Sequence, residues 1–203
     1  MDYETLKADL RRAYDAEAAS RAVMDDEPWK AAERERFAAY LPASARLLEI
    51  GAGHGVSGLY FAGSGHRVTC VDLSPELVAR CREQGLDAEV MDFADLDYPE
   101  AAFDAVFGMN CLLHVPSADL PAVLAELARV LAPGGLCYWG QYGGLDFEGV
   151  WDRDKYEPKR FFSFQSLDRL RAFASAAFTV LDARTVPVDR TPDQFHSLIL
   201  RKD

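Results

Sequence analysis

Glu49-Ile50-Gly51-Ala52-Gly53-His54-Gly55 is the stretch that decides the fold, because three glycines follow directly on an apolar segment. Residues 47–50 predict a short buried strand, and from Val56 onward the apolar residues recur at helical spacing. Glycine lets the backbone approach a ligand closely, and the free N–H groups of a helix N-terminus attract anionic groups. The stretch therefore predicts a strand–loop–helix unit that binds a nucleotide-like ligand.

The same alternation of strand and helix continues along the chain and predicts the fold class. Apolar strands that alternate with helices through short connections form a parallel sheet with helices on both faces. Only a short turn containing proline joins the last two strands, so we expect them to pair antiparallel. We predict an α/β fold, a three-layer α/β/α sandwich with a seven-stranded, mostly parallel sheet. The predicted strands cover residues 47–50, 68–71, 88–91, 103–109, 136–142, 178–186 and 195–200.

The glycine spacing separates two classes of nucleotide-binding protein. A dinucleotide fingerprint, G-x-G-x-x-G, would place its third glycine at position 56, which is Val56. The observed pattern, E-x-G-x-G-x-G, resembles motif I of the class I S-adenosylmethionine (SAM)-dependent methyltransferases. Asp72 at the end of the second strand, Asp92 after the third and Pro133-Gly134-Gly135 before the fifth extend this resemblance over residues 46–142.

The resemblance implies SAM as cofactor and a strand order of 3-2-1-4-5-7-6 with the last strand antiparallel. It implies that Asp72 accepts hydrogen bonds from both ribose hydroxyls and that Asp92 accepts one from the adenine amino group. Glu49 would orient the glycine loop or meet the amine of the cofactor through water. The other residues implied at the cofactor are Gly51, Ala52, Gly53, Gly55, Leu73, Met91, Phe93, Asn110, Cys111 and Tyr14.

Several alternatives stay open from the sequence. In the first alternative, the three glycines form only a tight turn without a ligand. In the same way, Glu49 is an ordinary acid at the end of a strand and Asp92 an ordinary acid in a loop. The apolar neighbours Leu73, Met91 and Phe93 then pack in the core instead of contacting the cofactor. At the level of function, the rivals are an NAD(P)-dependent oxidoreductase that uses the same loop and Asp72, and a SAM-binding module without turnover.

Two residues are candidates for catalysis. Methyl transfer from a sulfonium requires mainly that the lone pair of the acceptor lies in line with the S–CH₃ bond. A phenol or alcohol also benefits from a general base, for which histidine has a suitable pKa. His114, just after the fourth strand, is the candidate base, and its alternative is a structural or cofactor-contacting role. Tyr142, at the end of the fifth strand, is expected to face the acceptor.

We expect residues 1–203 to form a single domain with two segments outside the motif region. Residues 1–42 predict an N-terminal helical cap that carries Tyr14 and Trp29. Residues 143–165 are irregular and rich in aromatic residues, which is typical of a substrate lid over a small organic acceptor. Their alternatives are packing onto the sheet or a dimer contact.

Composition narrows the class of partner. The net charge of −11 and the scattered basic residues disfavour nucleic acid. No apolar run approaches the ~18 residues of a membrane span, and the four cysteines and four histidines are dispersed, so we expect no membrane and no metal. The sequence thus predicts a cytoplasmic enzyme, a monomer or homodimer, that methylates an oxygen or nitrogen of a small molecule.

Overall fold

A computed structural model describes residues 2–21, 27–189 and 192–203 and contains a seven-stranded sheet. The strands are β1 (Arg46–Ile50), β2 (Arg67–Asp72), β3 (Asp87–Val90), β4 (Phe103–Met109), β5 (Leu131–Gly143), β6 (Phe147–Val150), β7 (Phe161–Phe164), β8 (Thr179–Pro187) and β9 (Gln194–Arg201). The order in the sheet is β3-β2-β1-β4-β5-β9-β8, and only β9 runs against its neighbours. This confirms the predicted order, because β6 and β7 lie in a separate sheet and shift the numbering by two.

Helices cover both faces of the sheet and complete the three layers. The described helices are α1 (Tyr3–Arg21), α2 (Pro28–Ala38), α3 (Val56–Gly63), α4 (Pro75–Glu83), α5 (Leu120–Val130) and α6 (Leu167–Ala174), with a 3₁₀ turn at Leu112–His114. The two outer layers consist of α2 to α6. Alternate residues of each strand enter opposite cores: Leu48 packs with α5 and α6, whereas Leu47 packs with α2, α3 and α4. Such alternation is what a strand buried on both faces requires.

Helix α1 lies outside these layers, against α4. Two polar contacts attach it to the loops after β2 and β3: Lys7 forms an ion pair with Asp92, and Ser74 donates a hydrogen bond to Asp15. The N-terminal helix therefore passes over the carboxyl ends of the first strands, where open α/β sheets bind ligands.

The segment predicted to be irregular contains a β-hairpin. β6 and β7 pair antiparallel, with Phe147 opposite Phe164. Aromatic side chains pack well across antiparallel pairs, and here they also join Tyr142 and Phe195 in a third apolar cluster beyond the edge of the main cores. Residues 143–165 thus form a small two-stranded sheet with a long connection at 151–160, instead of a structureless loop.

Among the described residues, no helix combines the length and the apolarity needed to cross a bilayer. A search of the same residues for clusters of three or more metal-ligating side chains finds none. All four cysteines are buried, free thiols.

Candidate functional site

A cavity of about 430 Å³ opens at the carboxyl ends of β1, β2 and β4. Helix α1 and the 151–160 connection line it from outside the sheet. Its size is typical of a small-molecule site. The sequence-predicted residues that line it are Tyr14, Glu49, Gly51, Ala52, Gly53, Asp72, Leu73, Phe93, Asn110, Cys111, His114 and Tyr142, whereas Gly55, Met91 and Asp92 do not line it.

The glycine loop depends on backbone conformations that favour glycine. Gly51 and Gly53 both have φ of +59°. A Cβ on Gly51 would lie 2.4 Å from the Cβ of Cys111, whereas a Cβ on Gly53 would meet nothing closer than an Arg21 nitrogen at 3.8 Å. Gly55 is crowded like Gly51, because its Cβ would lie 2.6 Å from Leu86. Gly51 and Gly55 therefore allow the loop to pack closely on the protein, whereas Gly53 leaves open space beside the cavity.

Asp72 connects the loop to the next helix. Its Oδ2 accepts a hydrogen bond from the Gly53 amide and its Oδ1 accepts one from the Ser74 amide, both at 2.9 Å. Burial raises the pKa of this carboxyl, and the two amide donors and the charge of Arg21 oppose that effect. A carboxylate fixed by two N–H donors still has lone pairs to offer ligand hydroxyls.

Glu49 lies under the glycine loop and is only 4% exposed. Its Oε2 is 3.6 Å from the Cys70 sulfur. Burial raises the pKa of Glu49 to about 8, against hydrogen bonds from Cys70, Ser57 and the Gly58 amide. The side chain therefore contacts β2 and the first turn of α3, the helix that follows the glycine loop.

The three residues after β3 contact different parts of the molecule. Phe93 lines the cavity, but Met91 packs at the edge of a core cluster. Asp92 points toward α1: one oxygen pairs with Lys7, and the other accepts from the Ala94 amide at 2.8 Å. In this structure the carboxylate of Asp92 has protein partners and is not presented to the cavity.

The end of β4 is strained next to the glycine loop. Asn110 has φ of +59°, which is uncommon for a residue with a side chain. Its amide donates to the Gly140 carbonyl at 2.7 Å, and its Oδ1 accepts from the Tyr142 amide at 3.2 Å. Cys111 follows against Gly51, and burial raises the pKa of its thiol. Strain of this kind is typical of functional sites.

His114 takes part in a chain of hydrogen bonds that crosses the cavity wall. Its Nδ1 lies 2.7 Å from the Phe161 carbonyl, which can only accept, so Nδ1 carries the proton. Its Nε2 therefore accepts from the Tyr14 hydroxyl at 3.0 Å, and that hydroxyl accepts in turn from Arg160 at 2.9 Å. Burial and then the charge of Arg160 lower the pKa of His114 to about 3. The imidazole is neutral, with both nitrogens engaged.

Aromatic rings form a further wall of the cavity. The guanidinium of Arg160 lies 3.8 Å above the Tyr156 ring and pairs with the buried Asp154. Phe162 and Phe164 are stacked, with centroids 5.1 Å apart. Tyr142 lines the cavity and contacts Trp29 edge to face. Flat apolar walls with a few fixed polar groups suit a planar organic molecule.

Sequence reasoning missed the cationic residues of α1 and the role of Arg160. One face of α1 carries three cationic residues and a tyrosine, because their positions are separated by four, three and seven residues: Lys7, Arg11, Tyr14 and Arg21. That helical spacing was visible in the sequence. Nothing local, in contrast, indicates that Arg160 reaches Tyr14, because the two residues are 146 positions apart.

Residues 47–135 match the family described as methyltransferase domain. The chain is 34% identical over 155 residues to the 27-O-demethylrifamycin SV methyltransferase of Amycolatopsis mediterranei, covering 68% of this chain and 56% of that protein. It is 40% identical over 100 residues to a ubiquinone biosynthesis O-methyltransferase of Xanthomonas oryzae, covering 46% of this chain and 41% of that protein. The chain thus spans about half the length, or less, of these relatives.

Among solved structures, the 1,6-didemethyltoxoflavin-N1-methyltransferase of Burkholderia thailandensis is similar over the whole chain. The TM-score is 0.84 at 25% identity, and the match covers 100% of this chain and 91% of that one. That structure holds 1,6-didemethyltoxoflavin and S-adenosylhomocysteine. The similarity therefore extends beyond the region of the family match to the helices and hairpin that line the cavity.

Proposed function

We propose that this chain, which belongs to the class I SAM-dependent methyltransferases, transfers a methyl group from SAM to an oxygen or nitrogen of a small molecule. The observation that carries the proposal is the pairing of the positive-φ loop Gly51–Gly53 with Asp72 at one end of the cavity. The loop presents backbone without side chains, and the carboxylate beside it can accept from vicinal hydroxyls. These are the features that an adenosine-containing ligand needs.

On the cofactor side, we assign Asp72 to the ribose hydroxyls and Leu73 and Phe93 to the faces of the adenine. The backbone of Gly51, Ala52 and Gly53, with Asn110 and Cys111, would surround the remainder of the ligand, above Glu49. SAM, when bound, supplies a methyl group that is already activated by its sulfonium. The chain therefore has to bind and orient, and it needs little further chemistry.

Arg21 is an addition to the cofactor residues expected from sequence. It lies near the Gly53 end of the loop, donates to the Tyr156 hydroxyl at 3.2 Å, and has a buried Nε without a hydrogen-bond partner among the described atoms. A guanidinium in that position suits a carboxylate. We assign it to the carboxylate of the cofactor's amino-acid end.

Asp92 has a different role in this proposal from the one that the resemblance implied. Because Lys7 holds its carboxylate, Asp92 attaches α1 to the sheet at the adenine end of the cavity. Gly55 and Met91 likewise act through packing. The cap formed by residues 1–42 then closes the cofactor side, and the hairpin within 143–165 closes the acceptor side.

On the acceptor side, we propose that His114 is a positioning residue. Its neutral Nε2 fixes the Tyr14 hydroxyl, while Arg160 fixes the same hydroxyl from the other side. Tyr14, which the resemblance implied at the cofactor, is assigned here to the acceptor side together with Tyr142, which also lines the cavity. A small planar acceptor, not a macromolecule, fits a cavity of this size and lining.

The test is methyl transfer with trideuteromethyl-labelled SAM and a panel of hydroxylated and amino-substituted aromatic and heterocyclic compounds. Mass spectrometry should find a product heavier by one labelled methyl group, together with S-adenosylhomocysteine. Asp72→Ala should lower the yield of product at SAM concentrations that just saturate the wild type. Binding of the cofactor without any product across the panel would favour a SAM-binding module and contradict the proposal.

A further inference from the structure

The cavity differs in charge from the rest of the molecule. The chain carries 33 acidic and 22 basic side chains. Among the described residues that line the cavity the balance is reversed, with seven Lys or Arg and three Asp or Glu. An acidic protein that concentrates cations in one cavity favours anionic ligands there.

Part of this positive charge is already compensated by carboxylates. Arg160 pairs with Asp154, Lys30 with Glu27 and Arg11 with Asp15. Arg34 is buried, and its charge acts on Glu49. Three cations remain, Arg21, Arg153 and Lys155, none of which has a carboxylate within ion-pair distance in the described part of the chain.

The two exposed cations of this set lie at the mouth of the acceptor side. Arg153 and Lys155 alternate along the 151–160 connection with Asp154 and Tyr156, whose side chains are buried. Arg21 belongs to the glycine-loop end and is assigned above to the cofactor. The acceptor side therefore has aromatic walls with two uncompensated positive charges at its rim.

The acceptor side also lacks a group that is free to take a proton. Both nitrogens of His114 are engaged, and the charges facing it include Arg160 and Arg21. Asp154 accepts three hydrogen bonds from Arg160, two from the guanidinium and one from the backbone amide. Asp72 and Glu49 face the glycine loop instead. His54 also lines the cavity, but it belongs to the glycine loop between β1 and α3. Among the described residues of the acceptor side, the acceptor would find cations and hydroxyls around it, but no base.

We propose that the acceptor is a planar conjugated molecule that binds as an oxyanion, with its charge stabilised by Arg153 and Lys155. This rests on the function proposed above and names the class of substrate for the same site. Methyl transfer to a neutral hydroxyl releases a proton that a base must take. Transfer to an oxyanion forms the O–CH₃ bond as the S–CH₃ bond breaks, leaves that electron pair on sulfur, and releases no proton. The arrangement of cations without a base fits the second reaction.

4-Nitrophenol is a suitable probe, because it is planar, ionises near neutral pH, and its anion absorbs separately from the neutral form. We would titrate it spectroscopically in the presence of saturating S-adenosylhomocysteine, with 4-nitroanisole as the neutral analogue. The pKa of bound 4-nitrophenol should be at least one unit lower than that of 4-nitrophenol free in solution. This corresponds to at least tenfold tighter binding of the anion than of the neutral form. The double variant Arg153→Gln/Lys155→Gln should lose most of that shift.

Arg171→Gln is the matched control, because Arg171 is an exposed cation on α6 that does not line the cavity. It should behave as the wild type. An unchanged or raised ionisation pH for the bound phenol, equal binding of nitroanisole, or no binding of either probe at millimolar concentration would overturn the proposal. Calorimetric titration of each variant with S-adenosylhomocysteine separates these outcomes from a failure of the proposed function. If the proposed function were wrong, S-adenosylhomocysteine would not bind.

Discussion

The two ends of the cavity are constructed in different ways. On the cofactor side, backbone conformation does most of the positioning, and the partners are near in sequence: Asp72 accepts from the amide of Gly53, 19 residues away. On the acceptor side, side chains from distant segments fix one another, since Tyr14 meets His114 across 100 positions and Arg160 across 146. The first arrangement leaves a local pattern in the sequence, whereas the second depends on the completed tertiary structure.

The sharpest test of the backbone argument compares two glycines with the same φ. Gly51→Ala combines a left-handed conformation with a Cβ 2.4 Å from Cys111, so it should lower the free energy of unfolding by ~2–5 kcal/mol. Gly53→Ala has the conformational cost alone, ~1–2 kcal/mol, because its Cβ has space. Urea denaturation of both variants measures the difference. Equal losses would mean that the close approach of Gly51 to Cys111 does not limit the loop.

Asp72 tests whether the cofactor side also needs a specific side chain. Asp72→Ala should weaken binding of S-adenosylhomocysteine by ~1.5–3 kcal/mol, the usual loss for hydrogen bonds to a charged group. Calorimetric titration gives the affinity, and circular dichroism verifies that the variant is folded. Ser166→Ala, which removes the N-cap of the remote helix α6, is a suitable control for general destabilisation. An unchanged affinity in a folded Asp72 variant would refute the ribose assignment.

His114 tests the acceptor side through acid sensitivity. Its pKa is lowered to about 3 from an ordinary 6.5, chiefly by burial, so the folded protein disfavours its charged form. The associated stability is fully present above pH 6.5 and declines by ~1.4 kcal/mol per pH unit as the pH falls toward 3. Relative to His114→Gln, the wild type should lose that additional stability on acidification.

The activity of the wild type gives a second measurement of the same group. Between pH 5 and 9 its turnover should show no inflection from His114, because the imidazole stays neutral throughout. Parallel acid unfolding curves for wild type and His114→Gln would contradict the assignment. So would an inflection near pH 6.5 that disappears in the variant, which is the behaviour of a general base.

The smallest expected effect concerns the attachment of α1. Lys7→Gln removes the ion pair with Asp92, which is partly exposed, so the free energy of unfolding should fall by only ~0.2–1 kcal/mol. Thermal unfolding of the variant beside Arg12→Gln, an exposed pair on the same helix, gives the comparison. A much larger loss would mean that α1 contributes to stability mainly through this contact.

These differences explain how much could be predicted from the sequence. The glycine loop and the position of Asp72 followed from local spacing, because short connections fix what lies at the end of each strand, whereas the strand order came from the family resemblance. The same spacing could not show which way Asp92 turns, since that depends on Lys7 from another element. The burial of Gly55 on Leu86 was equally hidden.

The acceptor side was predictable only as a region. Aromatic residues in 143–165 indicated a binding segment, but their pairing as β6 and β7 depends on packing against Tyr142 and Phe195. His114 lies at the cavity, yet its neutral state comes chiefly from burial and then from the charge of Arg160, which that segment contributes. Electrostatic state is a property of the assembled site, and no local motif records it.

Parallel calorimetric titration with S-adenosylmethionine, S-adenosylhomocysteine and NAD tests the central claim most directly. We predict micromolar binding of both adenosyl ligands and no binding of NAD. The reason is that Val56 stands where a dinucleotide fingerprint has its third glycine. Binding of NAD, with no heat from either adenosyl ligand, would contradict the account and identify the cavity as a dinucleotide site.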